Sequence, residues 1–585
     1  LKLLNYPVSK GNLNLLKTQP VQHFITSVLF ALSILTTSFA QTKLPPYAIT
    51  KSLKPQRGAV VCAHPAASQV GASILRQGGN AFDAVIATQL ALAVVFPNAG
   101  NIGGGGMLIA HTSRGQNICI DYREKAPALA TRDMYLDSSG NPIPGKSLNG
   151  HIASGVPGTV AGLFATLPYA KLPFRRLIDP AIKLAEKGFA LTSAQADSLN
   201  RHRNNFLSQN KNPTAFTRET PWAEGDTLIQ PELAATLKRI RDRGAAGFYE
   251  GRTADLIVAD MQAGGGLISH ADLKNYRAVV RQTMNFPYRG YRVISMPLPS
   301  SGGLILAQLL GIMEQYNLAG MGFHTPESLQ LMIEAERRAY ADRAFYYGDP
   351  DFVKVPVKEL LSPAYLRKRM SDFTPGKAGN SSMVKEGQVS ESMETTHISV
   401  VDAYNNAVSV TTTLNGYYGS KTVVTGAGFL LNNEMDDFSI KPGVPNLFGV
   451  TGQAANAIVP GKRMLSSMTP TIVLKNNKPV IITGSPGGST IPTSVFQTIV
   501  NLIDFSLSPE DAVNMPKFHH QWTPDQVDVE KNFPDTPLRK MADMGYRFRQ
   551  LPGIGRVELI FLDYPKGRRI HAVADKRGDD CASGY

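Results

Sequence analysis

From Ser371 to Glu394 the chain is rich in Gly, Ser, Lys and Pro with little periodicity, and directly after it the pattern turns to β-branched alternation. His397-Ile-Ser-Val-Val-Asp402 and Ala407-Val-Ser-Val-Thr-Thr-Thr-Leu-Asn415 read as two strands of a hairpin, joined by a turn over Ala403–Asn406. This junction constrains the fold more than any other stretch, because it delivers a loop to the start of a strand, and the residue at the junction is Thr395. A Thr inside a chain is a poor nucleophile. A Thr that begins a chain carries its own base, since an α-amino group titrates at about 7.7–8.0 and is partly neutral near pH 7. Cleavage of the Glu394–Thr395 bond by the chain itself would create that arrangement.

The stretches before the junction are largely helical in pattern. Ala66–Gln77 reads as a helix stopped by Gly78-Gly79, and Ala81–Val95 as a helix apolar almost all round and therefore buried. Ser328–Tyr340 consists of good helix formers, and Gly348-Asp-Pro350 ends the helical pattern beyond it. The run Gly103–Gly106 has neither a Gly-Lys-Ser nor a Gly-x-Gly-x-x-Gly register, so it reads as a close backbone crossing beside a core and not as a phosphate cradle. After the junction, Thr471–Leu474 and Val480–Thr483 fit further strands. A helix-rich half and then a strand-rich half predict an α+β fold with helical layers over packed sheets.

Composition narrows the function classes. The net charge of +14 is spread thinly, and the densest basic run, Lys238–Arg243, is the polar face of a helix whose Leu233, Leu237 and Ile240 recur at helical spacing. No basic patch interleaved with aromatics appears, which argues against nucleic-acid binding. The apolar run Ile25–Ala40, preceded only by Lys2, Lys10 and Lys17, is short for a membrane span and suits a secretory signal over residues 1–40 with no stable membrane insertion after its removal; a retained anchor is the alternative. Cys62, Cys119 and Cys581 are an odd set without metal-ligating spacing, so an exported, cysteine-poor chain points to a bacterial periplasm or medium, and no metal is expected.

A series of motifs in order then resembles one family. Asn101–Gly106, Asp121-Tyr-Arg-Glu124, Ser154–Thr159, Pro299–Gly303, Gly348–Phe352, Thr395-Thr-His397, Leu430–Phe438, Leu465–Met468 and Gly484–Ser489 together resemble the γ-glutamyltranspeptidases over nearly the whole chain after the leader. The resemblance implies an N-terminal nucleophile hydrolase fold, a four-layer αββα sandwich formed jointly by two processed chains, residues 41–394 and 395–585, that stay together as a heterodimer. It implies no cofactor. It implies γ-glutamyl transfer from glutathione and other γ-glutamyl compounds to water, amino acids or dipeptides, through an acyl group on Thr395 Oγ.

Site roles come from the same resemblance. Thr413 is expected to hydrogen-bond Thr395, and Gly487 and Gly488 to form the oxyanion hole. Arg123, with Ser466 and Ser467, is expected to take the α-carboxylate of the glutamyl group, and Asn415, Glu434 and Asp437 its α-ammonium. Asp436 is expected to point away if its segment is extended. Pro442–Gly449 matches a lid loop, in which Phe448 stands where several bacterial relatives place Tyr. Other departures are Met464 for a usual Pro, Thr490 for a frequent Arg, and Ala574-Asp-Lys-Arg577 for a usual Ser-Asp-Pro-Arg. The alternatives are a cephalosporin (glutaryl) acylase of the same fold, against which the retained acids argue, and a noncatalytic γ-glutamyl-binding protein, against which the intact threonines and glycine pair argue.

Overall fold

A computed structural model describes residues 46–384, 395–441, 444, 453–565 and 567–585. The expectations placed on the 1–40 leader, on Glu394 and on Phe448 with most of its loop lie outside the described residues.

Among the described residues, fourteen strands form two seven-stranded sheets in which every pairing is antiparallel. In chain order they are β1 (Ser52–Leu53), β2 (Ala59–Cys62), β3 (Gly105–His111), β4 (Asn117–Asp121), β5 (Val279–Val280), β6 (Met284–Tyr288) and β7 (Tyr291–Ser295) before the junction. After it come β8 (Thr396–Val401), β9 (Ala407–Thr413), β10 (Thr471–Lys475), β11 (Lys478–Gly484), β12 (Glu558–Asp563), β13 (Arg569–Ala574) and β14 (Cys581–Gly584). One sheet runs β1-β13-β12-β11-β10-β7-β6 and the other β14-β2-β8-β9-β3-β4-β5.

Side-chain alternation turns these sheets into layers. In β2, Val60 and Cys62 face helices while Ala59 and Val61 face the other sheet; β8 and β9 divide the same way, Ile398, Val400, Val408 and Val410 outward and Val401 and Ala407 inward. The outward face of this sheet is covered by α1 (Pro65–Arg76), α2 (Ala81–Val95), α3 (Phe174–Lys187) and α4 (Pro231–Arg243). The first sheet is covered on its outer face by α5 (Gly302–Met313), α6 (Pro326–Tyr346) and α7 (Thr490–Ile503). Ile294, Ile472, Ile482 and Ile560 fill the space between sheets. The result is the expected four-layer αββα arrangement, with α2 buried along its whole length as its composition requires. At about 1.5–3 kcal/mol for each large apolar side chain removed from water, these three apolar layers dominate the favourable side of folding.

The two halves are not segregated as their composition suggests. Seven of the fourteen strands precede Thr395, and each sheet draws strands from both sides of it. Neither segment can complete a sheet alone, which is the physical reason two processed chains would remain associated.

The hairpin β8–β9 is central to its sheet, with Thr396 opposite Thr412 and Val401 opposite Ala407. Its turn is held by Asp402, whose carboxylate accepts from Tyr404 N–H at 2.8 Å and Asn406 N–H at 3.0 Å, and also from Ala81 N–H at the start of α2 at 3.0 Å. The glycine run lies against the hairpin's end. A Cβ on Gly104 would sit 2.1 Å from the Thr413 carbonyl oxygen, and one on Gly103 2.1 Å from that of Leu430. Gly104→Ala should therefore force apart backbone that cannot yield, lowering stability by about 1–3 kcal/mol in thermal or denaturant unfolding and reducing activity through displacement of Thr413.

Candidate active site

Strand parity fixes where the junction residue goes. Thr395, two residues before His397, and Thr413, two after Thr411, share the face that looks toward the other sheet. That face is polar at this end: His397 Nδ1 lies 2.9 Å from Thr411 Oγ1, Ser399 Oγ donates to the Glu558 carbonyl at 3.0 Å, and Ser409 Oγ to the Thr483 carbonyl at 2.9 Å. Burial pushes His397 down to about 3, so its imidazole is neutral and packs against Gly484, where a Cβ would sit 2.2 Å from the ring.

Thr395 and Thr413 open into a small, partly open cavity at this end of the sandwich. Arg123, Asn415, Glu434, Asp437, Ser466, Ser467 and Gly488 also line it. Nine of the ten residues expected to perform catalysis or binding thus meet in one place, and the tenth, Gly487, immediately precedes Gly488. Sequence reasoning missed Arg343, Met468 and Ile491, which line the same cavity.

Each group is set by its local structure. Thr413 Oγ1 accepts from Asn415 N–H at 2.7 Å, an arrangement helped by the left-handed Asn415 (φ 76°), whose side-chain amide donates to the Asn433 carbonyl at 3.1 Å. Gly487 (φ 135°) and Gly488 (φ 55°) make a turn open only to glycine, tied to the start of α7 by Thr490 N–H donating to the Gly487 carbonyl at 3.0 Å. Thr490 Oγ1 donates to the same carbonyl at 2.8 Å, a contact that a Cβ on Gly487 would crowd at 2.4 Å. The turn therefore lies at the positive end of a helix. Ser466 and Ser467 belong to a loop fastened to the Pro299–Ser301 turn: Ser301 N–H and Oγ both donate to the Ser466 carbonyl at 2.7 Å, and Ser466 N–H donates to the Pro299 carbonyl at 2.9 Å.

The charged residues form a buried cluster. Arg123, 1% exposed, pairs with Glu434 at 2.5 Å and with Asp437, and Glu124 lies 3.7 Å away. Its Nε also faces the Met464 carbonyl at 3.4 Å and its Nη2 the Leu465 carbonyl at 3.2 Å. The Arg123–Glu124 contact is thus part of the interior and not a surface ion pair. Glu434–Asp437 is one 3₁₀ turn and not an extended segment, and Asp436 nevertheless points away, accepting from Ser147 Oγ at 2.5 Å. One guanidinium facing three carboxylates cannot neutralise them all. Burial drives the Glu434 carboxyl well above its usual range against the pull of Arg123, with Glu124 and Asp437 adding repulsion. Burial also raises Asp437, and pushes Glu124 up to about 8. Among the described residues no group of three or more His, Cys, Asp or Glu is placed to hold a metal ion.

A threonine at the head of a central strand, between two antiparallel sheets with helices outside, is the αββα arrangement of the N-terminal nucleophile hydrolases. A sequence model of the γ-glutamyltranspeptidase family matches residues 67–585, and this chain belongs to that family. It is 44% identical over 576 residues to the glutathione hydrolase proenzyme of Escherichia coli K12, an alignment covering 96% of this chain and 99% of that protein. Among solved structures it resembles the γ-glutamyltranspeptidase of Helicobacter pylori, at 46% identity and a TM-score of 0.54 over 55% of this chain and 94% of that one. It also resembles a cephalosporin acylase from Bacillus halodurans, at 25% identity and a TM-score of 0.80 over 94% of this chain and 99% of that one.

The raised Glu124 carboxyl makes stability depend on pH. The unfolded chain releases this proton near 4.5 and the folded chain near 8, so the group's contribution is fully present below about 4.5 and is lost as pH rises through about 8. Glu124→Gln should remove that loss. Melting curves of parent and variant should diverge in the variant's favour by a few degrees between pH 5 and 8, whereas a constant offset would contradict the assignment.

Proposed function

We propose that this chain is a self-processing γ-glutamyl hydrolase and transferase that works through Thr395. The observation that carries the reading is a single cavity in which Thr395 meets hydroxyl, guanidinium and carboxylate groups suited to both charges of an α-amino acid. In the precursor, the Thr395 hydroxyl attacks the Glu394 carbonyl carbon, and the peptide bond is replaced by an ester that water opens. The new chain then begins with Thr395 and its α-amine.

In turnover, Thr395 Oγ attacks the γ-carbonyl of a bound γ-glutamyl amide while the α-amine takes the hydroxyl proton. Thr413, already accepting from Asn415, can direct its own proton toward Thr395 Oγ. The tetrahedral oxyanion sits against the Gly487 and Gly488 amides at the positive end of α7; one such donor is typically worth about 10²–10³ in rate. The proton passes from the α-amine to the leaving amine, and a γ-glutamyl ester remains on Thr395. Water or an acceptor amine then attacks that ester through the same oxyanion, with amino acids and dipeptides as acceptors.

Arg123, Ser466 and Ser467 bind the donor's α-carboxylate, and Asn415, Glu434 and Asp437 its α-ammonium. A glutaryl donor has no ammonium to offer Glu434 and Asp437, two acids that share the Arg123 guanidinium, which favours γ-glutamyl compounds such as glutathione over the glutaryl side chain of a cephalosporin. The mature enzyme is a heterodimer of residues 41–394 and 395–585, exported to a bacterial periplasm after loss of residues 1–40.

Thr395→Ala should leave one uncut chain and abolish hydrolysis of γ-glutamyl anilides, by roughly 10⁴-fold or more. A processed and active variant protein would overturn the reading.

A further inference from the structure

Two of the three cysteines face each other across a strand pairing. In the ladder between β2 and β14, Cys62 lies opposite Cys581, Val61 opposite Ala582 and Val60 opposite Ser583. Side chains of opposed residues emerge on the same face of a sheet. For this pair it is the helix-covered face, since Cys62 packs with the apolar residues of α1 while Val61 and Ala582 point between the sheets. Cys119 cannot compete, because it lies in β4 on the inter-sheet face, against Met296 Sδ at 3.5 Å. The three thiols therefore allow one pairing, with Cys119 left over.

The spacing of the pair follows from the ladder. Tyr585 N–H donates to the Gly58 carbonyl at 3.2 Å and Gly58 N–H to the Tyr585 carbonyl at 3.4 Å, so these two residues exchange both bonds. Antiparallel pairs alternate, and counting by twos makes Val60–Ser583 and Cys62–Cys581 pairs of the same kind. Their Cα atoms are then about 5.5 Å apart, inside the roughly 4.4–6.8 Å that a disulfide spans. The opposed Cβ atoms stand about 1 Å further apart than in a relaxed disulfide, so one strand has to give. β14 is the strand that can, since it has four residues and is an edge strand paired only with β2. Both cysteines are free in the structure: Cys62 Sγ donates to the His64 carbonyl at 3.5 Å, and Cys581 Sγ accepts from Thr50 N–H at 3.4 Å. These are weak sulfur contacts that a covalent bond can replace.

We infer that Cys62 and Cys581 are a modification site, a cross-strand disulfide that joins the two processed chains covalently. The inference rests on the proposed cut before Thr395, which places Cys62 in the 41–394 chain and Cys581 in the 395–585 chain. The oxidant is a small-molecule or protein disulfide. One cysteine attacks it and releases a first thiol; the other cysteine attacks the mixed disulfide and releases a second, so two cysteine thiols are oxidised, the oxidant is reduced to two thiols, and both protons leave with them. Burial pushes the Cys62 thiol well up, so exchange begins when β14 is unseated and the sulfurs meet solvent. The bond braces β2, whose other edge carries β8, where Ile398 lies opposite Cys62.

The test holds the processed enzyme with excess hydroxyethyl disulfide in urea below its unfolding midpoint, returns it to buffer, blocks free thiols and runs denaturing gels. Glutathione disulfide is avoided because its γ-glutamyl groups would make it a substrate. Without reductant the two chains should run as one band of their summed mass, and with dithiothreitol as two. Cys62→Ser and Cys581→Ser should each give two bands in both lanes, and Cys119→Ser should behave as the parent. Digestion of the parent, which needs no variant, should yield a peptide pair linked through Cys62 and Cys581 that reduction separates. Two bands without reductant, or a link through Cys119, would overturn the inference. A single band in dithiothreitol would instead refute the proposed cut, and the linked peptides would still report on the pairing.

Discussion

The structure depends on the antiparallel pairing of residues 396–401 with 407–413. Because Thr396 faces Thr412, the next pair outward brings Thr395 opposite Thr413 at the end of a central strand. Parity turns both toward the neighbouring sheet, where β11 ends shortly before the Gly487–Gly488 turn. A slip of one residue in this register would send Thr395 into the helical layer and out of the cavity. The glycine run enforces the register from the other side, since its backbone approaches the Thr411 and Thr413 carbonyls too closely for any side chain.

A second constraint is the buried cluster around Arg123. Burying one guanidinium with three carboxylates is expensive, and the cost is moderated by protonation of the acids and not removed by pairing. Such a cluster adds little to stability, but it holds acids at fixed positions in the cavity, where the proposed function has them meet an ammonium. Arg343, fastened to Ser301 and Ser467, also lines the cavity and pulls Asp437 down against the burial that raises it.

Much of this was legible in the sequence. The β-branched alternation after Thr395, the all-apolar helix at 81–95 and the glycine crossing each arise from local chemistry, and ordered motifs led to nine residues that meet in the cavity. The sharing of both sheets by both halves was not legible, because strands such as Ala59–Cys62 and Gly105–His111 are short or begin in glycine, and their partners lie hundreds of residues away. Arg343 was hidden for a different reason. The run Ser328–Tyr340 reads only as good helix formers and stops short of Arg343, whereas α6 extends to Tyr346, is buried for most of its length, and its arginines meet partners from distant segments. The 3₁₀ turn at Glu434–Asp437 likewise depends on contacts that spacing does not reveal.

The central claim is that Thr395 becomes a chain terminus and then carries the γ-glutamyl group on its hydroxyl. The most direct measurement is acid quenching during turnover of a γ-glutamyl anilide, then digestion and mass spectrometry of the peptides. The expected product is a peptide whose first residue is Thr395, with one γ-glutamyl group in ester linkage to its side chain. A γ-glutamyl group on any other residue, or a second chain beginning anywhere but Thr395, would contradict it.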